Sequence, residues 1–391
     1  MKNILYWIAV YFQRILLYSS YWLFQIIGRK NNKRISWVVG VDEVAANIKY
    51  IAQALNNSYS VCLTKNKFYD FKYDFSLGSG YFTRIDFYKK IFIGPILLGY
   101  LLNRAKNFFY IFSRGFLLSD RDKRKFEFEL IKRKGKHIVC FFVGDDIRSP
   151  KLMLDFAKTR NIEVLSSYEF IARPQNLSDA YEASQRRLAE VTEEYADLIF
   201  NAAADQMAYF TKKTQPFIYF YPEENFLKND AKFENLQSIK ILHAPSSPIL
   251  KGTQLIGAAI TRLRVEGYKF EYLELIGVSN AVVLQELRST HIVLNEFYAF
   301  VPGLFGIEAM ASHCALMTSA DEFIEKDLPS GSNQAWYVTK SYEIYDHLKR
   351  LLDVPVLIKQ YADAGYAWAY ENAAITNSGK KLSALLACFD K

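Results

Sequence analysis

The sequence predicts an α/β protein of two domains, each built on a mainly parallel sheet. Three observations carry this expectation. From Ile35 onward, short apolar runs alternate with amphipathic stretches, the pattern of strands joined by crossover helices. The alternation breaks once, at a polar stretch over 215–237 containing Pro216 and Pro222, and then resumes. A chain of 391 residues, 51% of them apolar, can bury two cores of ordinary size and does not have a disordered composition.

The first element is a helix over residues 4–27, ILYWIAVYFQRILLYSSYWLFQII, long enough to span a bilayer. Gln13 and Arg14 in its middle and Gln25 near its end oppose spanning. On a helical wheel they share a sector with Asn3 and Ser20, although Leu17 and Phe24 lie there too. The stretch is too long for a secretory signal and lacks a small-residue cleavage site. Its Tyr and Trp content suits a helix lying in a membrane interface. A monotopic anchor is therefore preferred to a transmembrane anchor or a helix docked on the globular part. Arg29, Lys30, Lys33 and Arg34 follow, and would keep the remainder cytoplasmic if the helix did span. Residues 1–34 are thus expected to form a membrane-associating helix with a basic flank.

The first domain is expected over 35–220. It contains strands at 35–41 and 59–64 around a helix at 44–55. Further on come a strand at 107–112, a charged helix at 121–135 and a strand at 137–144 ending in Gly144. A helix at 181–196 and a short strand at 197–200 complete it. The second domain, 221–375, reads as strands at 238–244, 270–275, 291–295 and 315–319, with helices at 252–267, 281–289 and 306–312 between them. Helices at 341–352 and 356–373 follow, and a last C-terminal helix falls within 376–391.

The net charge of +8 is unevenly spread: eleven Lys/Arg against four Asp/Glu between Arg104 and Lys136 leave +7 there. That is either a solvated helix face or a surface for anionic lipid headgroups. No nucleic-acid-binding motif is present. Cys62, Cys140, Cys314 and Cys388 are widely spaced, as suits reduced thiols in a cytoplasmic protein. His137, His291, His313 and His347 lack metal-ligand spacing, so no metal site is expected.

Ligands of open parallel sheets bind beyond the carboxyl ends of the strands, which points to the loops carrying Gly40 and Asp42, Gly144 to Arg148, His243 to Gly252, Gly277 to Asn280, and Pro302 to Glu308. Lys251 and Gly252 open a helix, where free N–H groups, the helix dipole and the ammonium favour a phosphate. Glu308 follows an apolar loop into the helix with Ile307, Ala309 and Ala311. It is either a helix cap or a buried carboxylate for a ribose diol. His243 is either a packed strand-end histidine or a catalyst. Asp145 and Asp146, with Arg148, either hold sugar hydroxyls or cap the next helix. The absence of GxSxG, HExxH and GxGxxG removes hydrolase, metalloprotease and nicotinamide readings.

Taken in order, HAPSSPILKGT, GVSN and GIEAMAS within 239–318 resemble the donor half of GT-B glycosyltransferases of family 4. GKHIVCFFVGDDIRS and YADLIFNAAADQMAYF extend the resemblance, more weakly, through about residues 35–375. It implies two Rossmann-like domains facing a cleft. The second would bind a nucleoside-diphosphate sugar and the first an acceptor, with hexosyl transfer that retains configuration and needs neither metal nor cofactor. The resemblance makes Lys251 the diphosphate contact and Glu308 the ribose-binding acid, the two residues on which catalysis would rest. It also places His243, Ser246, Ser247, Gly252, Gly277, Val278, Gly303 and Ile307 around the donor. Gly40, Asp42, Gly144, Asp145, Asp146 and Arg148 fall on the acceptor side.

The chain departs from the family pattern at Phe300 (the first Glu of Glu-x7-Glu), at Ser246 (often Arg) and at Val143 (often His). The implied protein acts at the inner face of a plasma membrane on a surface glycan or lipid-linked saccharide. The alternatives are a catalytically silent scaffold of the same fold and an enzyme transferring glycerol phosphate.

Overall fold

The computed structural model describes residues 2–27, 34–64, 68–69, 71–77 and 84–389. Arg29, Lys30 and Lys33 lie outside them, as does the Asn3 side chain.

The first sheet has six parallel strands in the order β3-β2-β1-β4-β5-β6. They are β1 Ile35–Asp42, β2 Ser58–Thr64, β3 Phe75–Ser76, β4 Ala105–Ile111, β5 His137–Phe141 and β6 Leu198–Phe200. The second has five parallel strands in the order β11-β10-β9-β7-β8, with β7 Ile239–His243, β8 Phe270–Glu274, β9 Ile292–Leu294, β10 Ala315–Thr318 and β11 Tyr337–Val338. Both orders are doubly wound, so each sheet has a switch point at its carboxyl edge. Helices α1 Lys2–Ile27, α2 Asn47–Ala54, α3 Arg84–Arg104, α4 Lys125–Arg133, α5 Pro150–Arg160, α6 Glu169–Ala172 and α7 Asp179–Tyr195 accompany the first sheet. The rest are α8 Thr253–Val265, α9 Asn280–Leu287, α10 Gly303–Ala311, α11 Ile344–Asp353, α12 Val356–Ala373 and α13 Ile375–Leu386.

Helices α3, α5 and α6 and the short edge strands β3 and β11 go beyond what the sequence pattern suggests, and α3 and α13 alter the packing. Helix α3 has no counterpart among the expected elements, because Gly94 and Pro95 interrupt it and both its sides are apolar. Gly94 is required there: a side chain would collide with the Phe116 carbonyl. Helix α13 is not an appendage of the second domain. It packs against α2, with Gly379 over Ala54, while Phe389 reaches Trp37 and the His137 ring. The chain crosses back beside Tyr221, whose N–H donates to Ala373 O at 2.7 Å and whose carbonyl accepts from Ile375 N at 3.0 Å.

Helix α1 runs parallel to α3 and turns polar residues inward. Gln13 is buried, donating to Ile91 O at 3.1 Å and accepting from Leu118 N at 2.9 Å. Ser20 is buried too and donates to Leu17 O at 3.0 Å, while Asn103 on α3 donates to Tyr21 O at 2.9 Å. The close crossing depends on Gly99, where any side chain would collide with Ser20 and the backbone of Tyr21. Gly99→Val should therefore cost about 1–3 kcal/mol by overpacking and make α1 the first site of limited proteolysis. An unaltered cleavage pattern would refute the docking of α1 on α3. Among the described residues, no helix is long and apolar enough to cross a membrane.

Candidate functional site

The two sheets face each other across a cleft, and a cavity of about 420 Å³ opens between them. From the second domain it is lined by Ser246, Ser247, Lys251, Gly277, Val278, Gly303 and Glu308, and from the first by Gly144, Asp145 and Arg148. Residues more than 160 positions apart in sequence thus share one wall-to-wall space.

The corner that carries Lys251 is built by the loop after β7. Lys251 N–H donates to Ser247 O at 3.0 Å, and Gly252 takes φ +78° to start α8. That turn aims the Lys251 ammonium at the carboxylate of Glu296, with which it forms an ion pair. Glu296 sits in the loop after β9, which is pinned by Asn295 Nδ2 donating to Pro302 O at 2.7 Å and by Ser319 N donating to Glu296 O at 3.0 Å. Burial raises the Glu296 carboxyl above its ordinary range, and Lys251 opposes that shift. Gly303 (φ +63°) lies against the same carboxylate and donates its N–H to Tyr219 Oη at 3.2 Å.

Glu308 lies beyond the first turn of α10 and is buried. Its Oε1 accepts from Asn280 Nδ2, the first residue of α9, at 2.8 Å. The carboxylate thus bonds across to a neighbouring helix, not to the opening amides of its own, which decides against capping. Burial pushes Glu308 up to about 7, and the single bond from Asn280 lowers it only in part. Asn280 N–H in turn donates to Phe68 O at 3.2 Å, drawing the first domain to this corner.

Across the cleft, Arg148 is buried and fully engaged. It donates to Asp145 Oδ1 (2.5 Å), Asp205 O (2.8 Å) and Asp205 Oδ2 (3.0 Å). Asp145 also pairs with Arg173. Burial alone would raise the Asp145 carboxyl, but Arg148 and Arg173 bring it below its ordinary value. Asp205 then accepts from Phe300 N at 2.7 Å, and Glu325 accepts from the amides of Ala203, Ala204 and Asp205 at 3.2, 2.8 and 2.9 Å. These charge-assisted bonds tie the two domains together beneath the cavity.

Several residues chosen from the sequence stand elsewhere. His243 is fully buried, bonded to Leu294 O (2.7 Å) and Thr253 Oγ1 (2.9 Å). Burial lowers it to about 4, so it is a neutral strand-end clamp and not a proton carrier. Gly252 packs against Phe297 and Tyr298, and Ile307 is in the core. Gly40 lies inside β1, where a side chain would collide with Val61 O. Asp42 faces Lys90 (3.7 Å) and Arg114 (3.5 Å) instead of the cavity. Asp146 is buried, accepts from Val143 N at 3.1 Å and is pushed up to about 7 by burial. Ser149, not either acid, caps α5 by accepting from Leu152 N at 3.1 Å.

Conversely, Glu296, Asp205 and Tyr219 line the cavity without having been expected there, whereas Asn280 closes a loop that the strand ends already pointed to. Only Glu296 leaves a trace in the sequence, as a polar Asn295-Glu296 step in the apolar run HIVLNEFYAF.

Asp230, His313 and Asp363 bring possible metal-ligating atoms within 4.8 Å of one another. The cluster is already neutralised by lysines: Lys359 sits 2.9 Å from Asp230 and 2.7 Å from Asp363. His313 Nδ1 accepts from Asn229 N at 3.2 Å, so Nε2 carries the proton given to Asp363 at 2.8 Å. This arrangement suits a structural clamp, and none of the three residues lines the cavity.

No protein-family model and no curated protein sequence matches the chain. Solved structures do. The chain is similar to sucrose-phosphate synthase from Thermosynechococcus elongatus, with a TM-score of 0.60 at 10% identity over 92% of this chain and 99% of that one. It is also similar to WaaG, a glycosyltransferase involved in lipopolysaccharide biosynthesis, with a TM-score of 0.53 at 12% identity over 90% and 99% of the two chains. A third similarity is to MnaA of S. aureus, solved with UDP, with a TM-score of 0.50 at 11% identity over 91% and 97%. The two facing parallel-sheet domains are the GT-B fold.

Proposed function

We propose that the protein is a glycosyltransferase that moves a sugar from a nucleoside-diphosphate sugar to a glycan or lipid-linked saccharide. The reading includes retention of configuration and no metal or other cofactor. The observation that carries it is the convergence of Lys251 and Glu308 on one interdomain cavity. A lysine at a helix start and a carboxylate across from it match the two ends of a nucleoside diphosphate. Ser246 and Ser247 would flank the phosphates, and Gly277 and Val278 the base. The UDP bound to MnaA, on the same fold, supports a nucleotide in this cleft. Lys251 and nearby amides would then stabilise the charge that develops on the departing diphosphate. Asp145 and Arg148 form the opposite, acceptor-facing wall.

Glu296 fits this scheme as a carboxylate for sugar hydroxyls, taking the place that Phe300 leaves empty. When the diphosphate engages Lys251, the ammonium is drawn from Glu296, which becomes free to accept hydroxyl bonds. The silent-scaffold reading rests on Phe300, and the two are separated by binding. A panel of nucleoside-diphosphate sugars in a thermal-shift assay should contain at least one that raises the melting temperature, because a ligand of the native state stabilises it by mass action. A flat response across the panel would leave the scaffold.

The pH dependence gives a sharper check. A ribose diol donates hydrogen bonds to the ionised form of Glu308, so binding favours deprotonation and affinity rises with pH. With that carboxyl at about 7, affinity for a nucleotide sugar should increase about tenfold from about pH 6 to pH 8, and Glu308→Gln should remove the slope. For the empty protein the sign is opposite. The raised carboxyl contributes stability at low pH that is lost as pH rises through about 7.

A further inference from the structure

The outward face of α1 is its most apolar one. Ile4, Ile8, Ile15, Trp22 and Ile26 fall on one line down the helix and are 58–71% exposed. Phe92 and Ile96 of α3, 49% and 39% exposed, continue the surface sideways. Two of the polar residues of α1 are turned inward: Gln13 donates to Ile91 O of α3, and Ser20 to Leu17 O of its own helix and Pro95 O of α3. The result is a two-helix apolar plate that no part of the described chain covers, larger than isolated exposed side chains account for.

Cations frame the plate. The Arg121 guanidinium lies over the rings of Tyr6 and Trp7, at 4.5 and 5.7 Å from their centroids. Lys134 lies 4.1 Å over Tyr21, and Arg104 lies 4.8 Å over Tyr100. We infer that this plate is a docking surface for a bilayer containing anionic lipid, with α1 and α3 lying flat in the headgroup region. Aromatic and aliphatic side chains enter the acyl boundary while the cations meet lipid phosphates. A second copy of the chain is a poorer occupant, because a two-fold contact would set the basic frame of one copy against that of the other. Crossing is a poorer arrangement too, since α1 is pinned to α3 through Gln13, Ser20 and Tyr21. The inference is independent of what the cleft transfers.

The test is flotation of the full chain with phosphatidylcholine vesicles, with and without phosphatidylglycerol, together with quenching by brominated lipid. Of the five tryptophans, Trp37, Trp336 and Trp368 are buried, so quenching reports Trp7 and Trp22. The expected result is binding that requires the anionic lipid, with quenched emission. Ile15→Glu with Trp22→Glu should lower the bound fraction about tenfold at an unchanged melting temperature, both side chains being exposed. Trp7→Phe with Trp22→Phe should still bind but lose the quenching. Three results would overturn the inference: no flotation of the unaltered chain, binding undiminished by the two glutamates, or a vesicle-free dimer that those glutamates dissociate.

Discussion

Replacing Phe300 by glutamate, the residue that a Glu-x7-Glu pattern would put there, will loosen the molecule instead of completing the site. Phe300 is 3% exposed and projects from the second domain into the first. There it meets Phe156 edge-on, with ring centroids 5.9 Å apart, and packs with Met153, Ala157, Val164 and Ala204. A carboxylate in that cluster would be buried among apolar groups and beside Asp205, whose oxygens already hold Arg148 and the Phe300 amide. The expected cost is about 3–5 kcal/mol, read as a lowered melting temperature and faster proteolysis between the domains. Phe300→Leu, which keeps the site apolar, should cost less than half as much. A Phe300→Glu protein as stable as the parent, with higher transferase activity, would show that the position belongs to the donor site after all.

Lys251→Ala should produce the largest functional loss. It removes the cation proposed to meet the diphosphate and strands the buried Glu296 without its counter-charge. Turnover of a nucleotide-sugar donor, measured as kcat/KM, should fall at least about tenfold, or about 1.4 kcal/mol of transition-state stabilisation. The same variant should be less stable, because an unpaired buried carboxylate is costly. Adding Glu296→Gln should recover that stability while leaving activity low, so the two effects separate in a double-mutant cycle. Full turnover in Lys251→Ala would remove the phosphate-contact assignment.

Much of the architecture was readable because β1, β4, β5, β7, β9 and β10 are buried strands with little polar interruption. Runs such as HIVCF and IKILH therefore stand out against the helices between them. Helix α3 was not readable, since a Gly-Pro step inside an apolar segment looks like a break until Phe116 is seen crowding Gly94. At the site, Lys251 and Glu308 follow from loops at strand ends, but Glu296 does not. Its meaning lies in a lysine 45 positions earlier, and a single acid after a strand carries no such label. Phe300 likewise reads as a missing acid in one dimension. Its packing partners lie about 95 to 150 positions upstream, where no local pattern points to them. His243 is a different case: the sequence leaves a packed histidine and a catalyst both open, and its two bonding partners favour the clamp.

The return of α13 to α2 has a consequence for synthesis. The first domain emerges first from the ribosome, but one of its faces waits for Leu382, Leu386 and Phe389, which are made only after the whole second domain. Until then Trp37 and the outer side of α2 lack their cover. The domain translated first is the last to be finished, so ribosome-bound chains stalled before residue 375 should expose that face to chaperones.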